Sequence, residues 1–175
     1  MRRIILSVLI LPLMVLAAMA KPAAPYRDPA LAHITFGLFC AITTTGQTDA
    51  PGTTSGWIHT TQDAPAFHWP GQRTVPAVLG LAFGVRAQTQ PGIAFPDAEM
   101  RVYRPGTERP DIWSSPMSDT GPALAFFRFD TDAERIPGLW VLEAWSGPTR
   151  LYRVEFDVVP ATTGNPIAQA CGGTA

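Results

Sequence analysis

Apolar and polar side chains alternate residue by residue in the last third of the chain. Over 152–158 each second residue is apolar, and the residues between them are charged. A period of two is typical of a β-strand that turns one face to the core and the other to water. The stretch over 139–146 has the same period and is followed by Gly147 and Pro148. The pattern therefore predicts an antiparallel hairpin with strands at 139–146 and 151–159.

Shorter segments of the same kind precede this hairpin. The 18 prolines and 15 glycines of the chain interrupt it too often for long helices, because Pro removes an amide donor and clashes with the preceding turn. Strands are predicted at 33–43, 56–60, 66–69, 79–89, 100–104 and 124–129. About seven or eight strands favour an all-β fold, an immunoglobulin-like antiparallel β-sandwich. A small closed β-barrel is the alternative.

Two polar segments lack the alternation. Residues 46–52 are predicted to form a turn, and residues 107–122, with three prolines, a long loop that carries Trp113. Gly80 and Gly84 fall inside the predicted 79–89 strand, where glycine indicates a bulge or a close backbone approach.

The first twenty residues differ from the rest of the chain. Two arginines precede an apolar run over 4–17, and small side chains follow at Ala18 and Ala20, which is the layout of a signal peptide cleaved after Ala20. An uncleaved membrane anchor is the alternative, but it needs roughly 20 apolar residues, and this run is shorter and contains Pro12. The protein is therefore predicted to be exported, periplasmic or secreted, without a transmembrane segment after cleavage.

The predicted organisation has four parts. Residues 1–20 form the signal peptide, 21–32 an N-terminal lead-in, 33–160 the β-sandwich and 161–175 a C-terminal tail that carries Cys171. Cleavage leaves eleven basic and fourteen acidic residues, so bulk charge does not attract nucleic acid.

The chain has two cysteines, Cys40 on a predicted strand and Cys171 in the tail. In an exported protein a pair of cysteines usually forms a disulfide, and such a bridge would close most of the domain. A reactive thiol or a metal role is the alternative, but the chain has no CxxC spacing to support it.

Three segments are similar to a known family. They are VPAVLGLAFGV at 75–85, FDTDAERIPGLW at 129–140 and VEFDVV at 154–159. They resemble the bacterial domain-of-unknown-function family numbered 3859, and the similarity in pattern extends from about Phe36 to Val159. These motifs consist of strands and turns without chemically active residues. The resemblance implies an exported bacterial domain whose role is not assigned, and no catalytic residue is carried over from it.

Candidate catalytic and metal-binding residues are few. No GxSxG motif occurs, and Ser55 before Gly56 is the nearest approach to an exposed nucleophile. His33, His59 and His68 could supply a base or bind copper or zinc, with His59 and His68 on either side of one turn. No residue pattern links these histidines to the serine. A hydrolase or a metal-binding protein that uses the histidines is therefore the alternative function.

Several carboxylates could also form a site. Asp130 and Asp132 begin a segment that resembles a calcium loop, but Arg135 occupies its sixth position, where such a loop needs glycine. Glu143 and Glu155 on the predicted hairpin could pair for glycoside cleavage. Alternation places both on the outward face, where surface ion pairs with nearby arginines are the simpler interpretation.

The tryptophans are the strongest candidates for binding. Trp145 falls on the outward face of its predicted strand, and packing in the core does not account for all of the others. The candidate binding residues are Trp57, Trp69, Trp113 and Trp145. Exposed aromatic side chains suit a partner protein or the ring of a sugar.

The leading prediction is a non-catalytic binding or interaction module of the cell envelope, without a cofactor, whose partner is an envelope protein or glycan. A purely structural module is the third possibility.

Overall fold

The computed structural model describes residues 21–40, 44–61 and 65–171, so the predicted signal peptide lies outside the described residues. The described part contains twelve strands, one 3-10 turn at Asp132–Glu134 and one short helix, α1, at Pro166–Ala170. The strands are β1 (Tyr26–Arg27), β2 (Leu31–Phe39), β3 (Thr44–Asp49), β4 (Trp57–Thr61), β5 (Trp69–Pro70), β6 (Thr74–Pro76), β7 (Ala82–Thr89), β8 (Glu99–Tyr103), β9 (Asp111–Ser114), β10 (Ala123–Arg128), β11 (Gly138–Ser146) and β12 (Thr149–Val159).

The strands form two larger sheets and a ribbon. The first sheet has the order β1-β12-β11-β8-β9, and β6 pairs in parallel with the far end of β12. The second sheet has the order β10-β7-β2-β5, and β3 and β4 form a separate two-stranded ribbon. All pairings other than that of β6 with β12 are antiparallel.

Aromatic side chains join the two larger sheets face to face. Phe83 of β7 lies 5.0 Å from Phe156 of β12 and 5.6 Å from Trp140 of β11, measured between ring centroids. Both sheets therefore contribute to one core, and the described strands form open layers rather than a closed barrel. With β7 and β10 facing β8, β11 and β12, the arrangement is that of an immunoglobulin-like sandwich. The prediction of an all-β, immunoglobulin-like β-sandwich is confirmed.

The hairpin predicted from the alternating pattern is β11 and β12. Trp140 pairs with Phe156 and Leu142 with Val154, and all four side chains are buried in the core. Each inward residue thus faces another inward residue across the ladder, as the period of two requires.

Two predicted loops contain strands. Asp111–Ser114 pairs with β8 inside the segment predicted as the long 107–122 loop, so Trp113 lies on a strand and that prediction is wrong. The strand is an edge strand, where flanking prolines are tolerated. It is only four residues long, which is too short for an alternating pattern to be recognised. Thr44–Asp49 pairs with β4, whereas the sequence predicts a turn over 46–52. The prediction fails because this ribbon strand is polar and largely exposed, so it lacks the apolar alternation of a strand with one buried face.

The predicted 79–89 strand begins later than expected. β7 starts at Ala82, whereas Leu79 is 44% exposed and Gly80 has the positive φ of a turn. Gly84 lies opposite Phe126 of β10. A Cβ there would collide with the carbonyl oxygen of Ala125 and lie 2.7 Å from the Cβ of Phe126. The close backbone approach predicted from this glycine is therefore present.

The predicted disulfide joins Cys40, directly after β2, to Cys171, directly after α1. Asn165 caps the helix, because its side-chain oxygen accepts hydrogen bonds from the amides of Ile167 and Ala168. Ala168 is buried in the core, so the bridge holds the tail against the sandwich. No helix among the described residues has the length and apolar character needed to cross a membrane.

We expect Gly84→Ala to lower the free energy of unfolding by about 1–3 kcal/mol, because a Cβ meets backbone that cannot move without disturbing the ladder. Gly121→Ala is the matched control, since no heavy atom would lie within 4 Å of its Cβ. Urea denaturation of both variants is the measurement. Equal midpoints for the two variants would contradict the close-approach interpretation.

We expect the disulfide to stabilise the protein strongly, because it joins residues 131 positions apart and so restricts the unfolded chain. Loss of the bridge in a double Cys→Ser variant should lower the free energy of unfolding by on the order of 4–5 kcal/mol. Denaturation curves of the oxidised protein, the reduced protein and the double variant provide the comparison. Coincident curves for oxidised and reduced protein would show that the tail contributes little.

Candidate functional site

A cleft opens where the ribbon lies beside one edge strand of each sheet, β9 and β10. On one side the amide of Ile112 in β9 donates to the carbonyl oxygen of Gly52, 2.9 Å away. On the other side His59 of β4 contacts Arg128 and Asp130 at the end of β10. The space between these elements has an empty volume of about 810 Å³, part of it open to solvent.

Aromatic side chains from three elements line the cleft. Trp57 comes from the ribbon, Trp113 from β9 and Phe126 from β10. The imidazole of His59 lies between two of them, 4.7 Å from Trp57 in an edge contact and 6.4 Å from Phe126 in a stacked one. Trp57 and Trp113 are both half-buried. Two of the four predicted binding tryptophans therefore line one cavity.

A polar cluster also lines the cleft. Nε2 of His59 lies 2.7 Å from Oδ2 of Asp130, and Nε of Arg128 donates to Oδ1 of Asp130 over 2.6 Å. Nη2 of Arg128 lies 3.0 Å from the same Nε2 of His59. Nε2 of His59 cannot both donate to Asp130 and accept from Arg128. An ionised carboxylate only accepts hydrogen bonds, so the short contact with Asp130 requires the proton on Nε2, and the contact with Arg128 is then not a hydrogen bond. Nδ1 of His59 is then a buried atom without a hydrogen-bond partner among the described residues.

The carboxylate of Asp130 is held in its ionised form. Burial alone raises the pKa of Asp130, but the hydrogen bonds from His59 and Arg128, together with their charges, outweigh that effect and bring the pKa below its ordinary value. The carboxylate thus joins β10 to the ribbon.

The turn after β10 explains how Asp130 is positioned. The carboxylate of Glu134 accepts hydrogen bonds from the amides of Asp130 and Thr131, at 2.7 and 2.9 Å, in a capping box. Asp132 is 77% exposed and pairs with Arg135 at 2.6 Å. The two carboxylates of the predicted calcium loop, Asp130 and Asp132, and that of Glu134 after them therefore engage three different sets of donors and do not converge.

A second carboxylate fixes the loop that leads into the ribbon strand β4. Asp111 is buried, and its Oδ1 accepts hydrogen bonds from the amide and the hydroxyl of Thr54 at 2.7 and 2.8 Å. Its Oδ2 forms a salt bridge of 3.2 Å with Nε of Arg104. Sequence reasoning missed this residue, because its partner Thr54 is 57 positions away and no local pattern marks the contact.

The other candidates for catalysis and metal binding do not join the His59 cluster. Nδ1 of His68 accepts a hydrogen bond from the amide of Cys40 at 3.0 Å, and His33 is exposed on β2. Ser55 lines the cleft, but its hydroxyl donates to the carbonyl oxygen of Trp57 at 2.8 Å. Within 21–40, 44–61 and 65–171 no group of three or more His, Cys, Asp or Glu residues is arranged to hold a metal ion.

The two remaining tryptophans lie outside the cleft. Trp69 of β5 packs against the core. Trp145 lies on the outer face of β11, with the guanidinium groups of Arg101 and Arg150 at 4.9 and 5.7 Å from its ring. Its indole N–H donates to Glu143 over 2.7 Å. The side chain of Trp145 is therefore already engaged within the protein by two guanidinium groups and a carboxylate.

The outward carboxylates of the hairpin are buried, contrary to the expectation that they are solvated. Glu143 is 3% exposed and accepts from Arg153 at 2.6 Å, and Glu155 is held by Arg153 at 2.8 Å and by the amide of Ala23 at 2.7 Å. The predicted pairing with arginines is present, but Trp145 and the N-terminal segment cover it. Burial raises the pKa of Glu155, yet these hydrogen bonds bring it below its ordinary value.

No family model matches the chain, and no curated protein sequence matches it. Among solved structures, the chain is similar to an immunoglobulin-like protein of Pseudomonas aeruginosa, with a TM-score of 0.45 and 22% sequence identity. The similarity covers 78% of this chain and 98% of that one. The fold assignment rests on the strand arrangement described above.

We expect acid to weaken the fold partly through Asp130. Its pKa is lower in the folded protein than in the unfolded chain, so its contribution is fully present above the ordinary pKa of 3.8 and is lost as the pH falls through the lowered value. Asp130→Asn should therefore be less stable than the parent at pH 7 and lose less stability between pH 5 and pH 3. Denaturation midpoints across this range are the measurement. Asp132→Asn, at an exposed position, is the control and should follow the parent curve; a parallel curve for Asp130→Asn would contradict the assignment.

Proposed function

We propose that this protein is an exported, non-catalytic binding module whose ligand occupies the cleft between the ribbon and the end strands. The observation that supports this most directly is the convergence of Trp57 and Trp113 with the polar cluster of His59, Arg128 and Asp130. Aromatic surface beside a few fixed polar groups is the usual composition of a ligand site.

Hydrogen bonds within the protein hold the walls of the cleft together. Asp111 ties the loop before β4 to β9, and Asp130 ties β4 to β10. A site whose walls are already fixed needs little further ordering on binding, which favours affinity. This rigidity supports a binding role for the cleft.

The proposed location is the periplasm or the extracellular medium. The signal-peptide pattern over 1–20 and the disulfide between Cys40 and Cys171 support export. The proposed partner is accordingly a component of the cell envelope, a protein or a glycan.

A hydrolase is the second candidate, because His59 and Asp130 form a base-and-carboxylate pair inside a cleft. Such a pair needs the second imidazole nitrogen to face a nucleophile. Nδ1 of His59 is instead buried without a partner in the described part of the chain, and the hydroxyl of Ser55 donates elsewhere. This geometry favours binding over catalysis.

The proposal is tested with a photo-crosslinking amino acid placed at Ser114, which is exposed on β9 and lines the cleft. The same group at Thr35, exposed on the outer side of β2, is the matched control. After irradiation of cells that export the protein, we expect specific crosslinked products from position 114 that are lost on Trp57→Ala and absent from position 35. Mass spectrometry and glycan staining of the products identify the partner class.

Identical products from both positions, or products at 114 that persist in the Trp57→Ala variant, would contradict a binding role for the cleft. Circular dichroism of the purified variant shows whether it is folded. Turnover of ester or glycoside substrates that disappears on replacement of His59 would favour the hydrolase.

A further inference from the structure

We propose that the cleft binds a neutral saccharide, with a sugar ring against the tryptophans and its hydroxyl groups bonded to Asp130 and Arg128. This inference rests on the proposed function and names the ligand class of the same site. It follows from four properties of the cleft: the compensation of its charges, the position of its accessible polar atoms, its aromatic walls and the use of its strand edge by the loop between β3 and β4.

The charges that line the cleft are already paired. Asp111 is bridged to Arg104, Asp130 to Arg128 and His59, and Glu134 accepts two backbone amides. An anionic ligand would meet Arg128 with its charge already compensated by Asp130, and a cationic ligand would meet Asp130 with its charge already compensated by Arg128. The cleft therefore offers no uncompensated charge to offset the desolvation of a charged ligand. A neutral ligand avoids this cost.

The accessible polar atoms suit hydroxyl groups. The side chain of Asp130 is 30% exposed, whereas those of Arg128 and His59 are largely covered. Each carboxylate oxygen can accept more than the single bond it receives from Arg128 or His59, and the guanidinium beside it is a donor. A hydroxyl group both donates and accepts hydrogen bonds. Of two neighbouring hydroxyl groups, one can donate to the carboxylate of Asp130 and the other can accept from the guanidinium of Arg128.

The aromatic walls suit the other face of the same ligand. Trp57 and Trp113 come from the ribbon and from β9, and each is only half-buried. The faces of a sugar ring carry C–H groups and its edges carry hydroxyls, so a sugar can contact an indole and a carboxylate together. The hydroxyls of Ser114 and Ser115 add further polar partners on the β9 side.

An extended peptide fits this cleft less well. A peptide that adds to a sheet needs free backbone groups on the edge strand. The amide of Ile112, within β9, already donates to the carbonyl oxygen of Gly52. The loop between β3 and β4 therefore uses part of the edge that a peptide strand would require, which favours recognition through side chains.

The test is isothermal titration of the purified, oxidised protein without its signal peptide against uncharged oligosaccharides. The probes are hexasaccharides of β-1,4-glucose, β-1,3-glucose, α-1,4-glucose, α-1,6-mannose and β-1,4-N-acetylglucosamine, and choline and inorganic phosphate represent cationic and anionic ligands. We expect at least one hexasaccharide to bind and neither ion to compete with it. Trp57→Ala and Asp130→Asn should each weaken that binding about tenfold or more, roughly 1.4 kcal/mol.

Trp145→Phe is the matched control, because Trp145 lies on the outer face of β11, and its affinity should stay within about twofold of the parent. Ser114→Arg blocks the cleft from an exposed position, so it keeps the test valid if Trp57→Ala does not fold. Saccharide binding that is unchanged in Ser114→Arg and Asp130→Asn would overturn the site assignment.

Binding of choline or phosphate with no hexasaccharide bound would overturn the saccharide inference. If no saccharide binds while crosslinking from Ser114 still depends on Trp57, the inference fails and the cleft remains a site for another ligand. If no saccharide binds and the crosslinks are also absent, the proposed function fails with it.

Discussion

The apolar faces of two sheets are buried against each other, and the remaining structure depends on that contact. Phe83 of β7 is the clearest example, since its ring lies within 5.6 Å of Phe129, Trp140 and Phe156. Removal of this much aromatic surface from water is the largest favourable contribution such a domain has. Because the contact fixes how the sheets overlap, it also fixes where their end strands β9 and β10 stand, and hence where a cleft can form.

The cleft itself depends on polar contacts rather than on the core. A sandwich is open along the edges of its two sheets, and here the β3–β4 ribbon lies across the opening between the edge strands β9 and β10. Asp111 and Asp130 attach it, one to each sheet. Hydrogen bonds to ionised groups have strict geometry, so they set the position of the ribbon more narrowly than apolar contact would. The core thus stabilises the domain, and the two carboxylates shape the site.

The β11–β12 hairpin was predictable because its faces differ in environment, and the alternation records that difference. The strands β9 and β3 could not be predicted in this way. β9 is an edge strand of only four residues, and β3 is polar and mostly exposed, so neither buries enough apolar side chains to produce an alternating pattern. The sequence indicated Trp57, Trp113, His59 and Asp130 separately, but their convergence joins residues 71 positions apart and depends on long-range packing. The burial of Glu143 was missed because Trp145, two residues away, folds over it.

Asp130 connects the stability of the ribbon with the chemistry of the cleft. The carboxylate that accepts from His59 and Arg128 also belongs to the most accessible side chain of that cluster. A ligand hydroxyl that donates to this carboxylate acts in the same way as His59 and Arg128. It therefore favours the ionised state of Asp130, in which the ribbon is attached. By linkage, such a ligand stabilises the attached ribbon to the extent that it prefers this state. Acid acts in the opposite direction, because protonation removes the negative charge that strengthens the hydrogen bonds to the ribbon and to the ligand, and turns one acceptor oxygen into a donor.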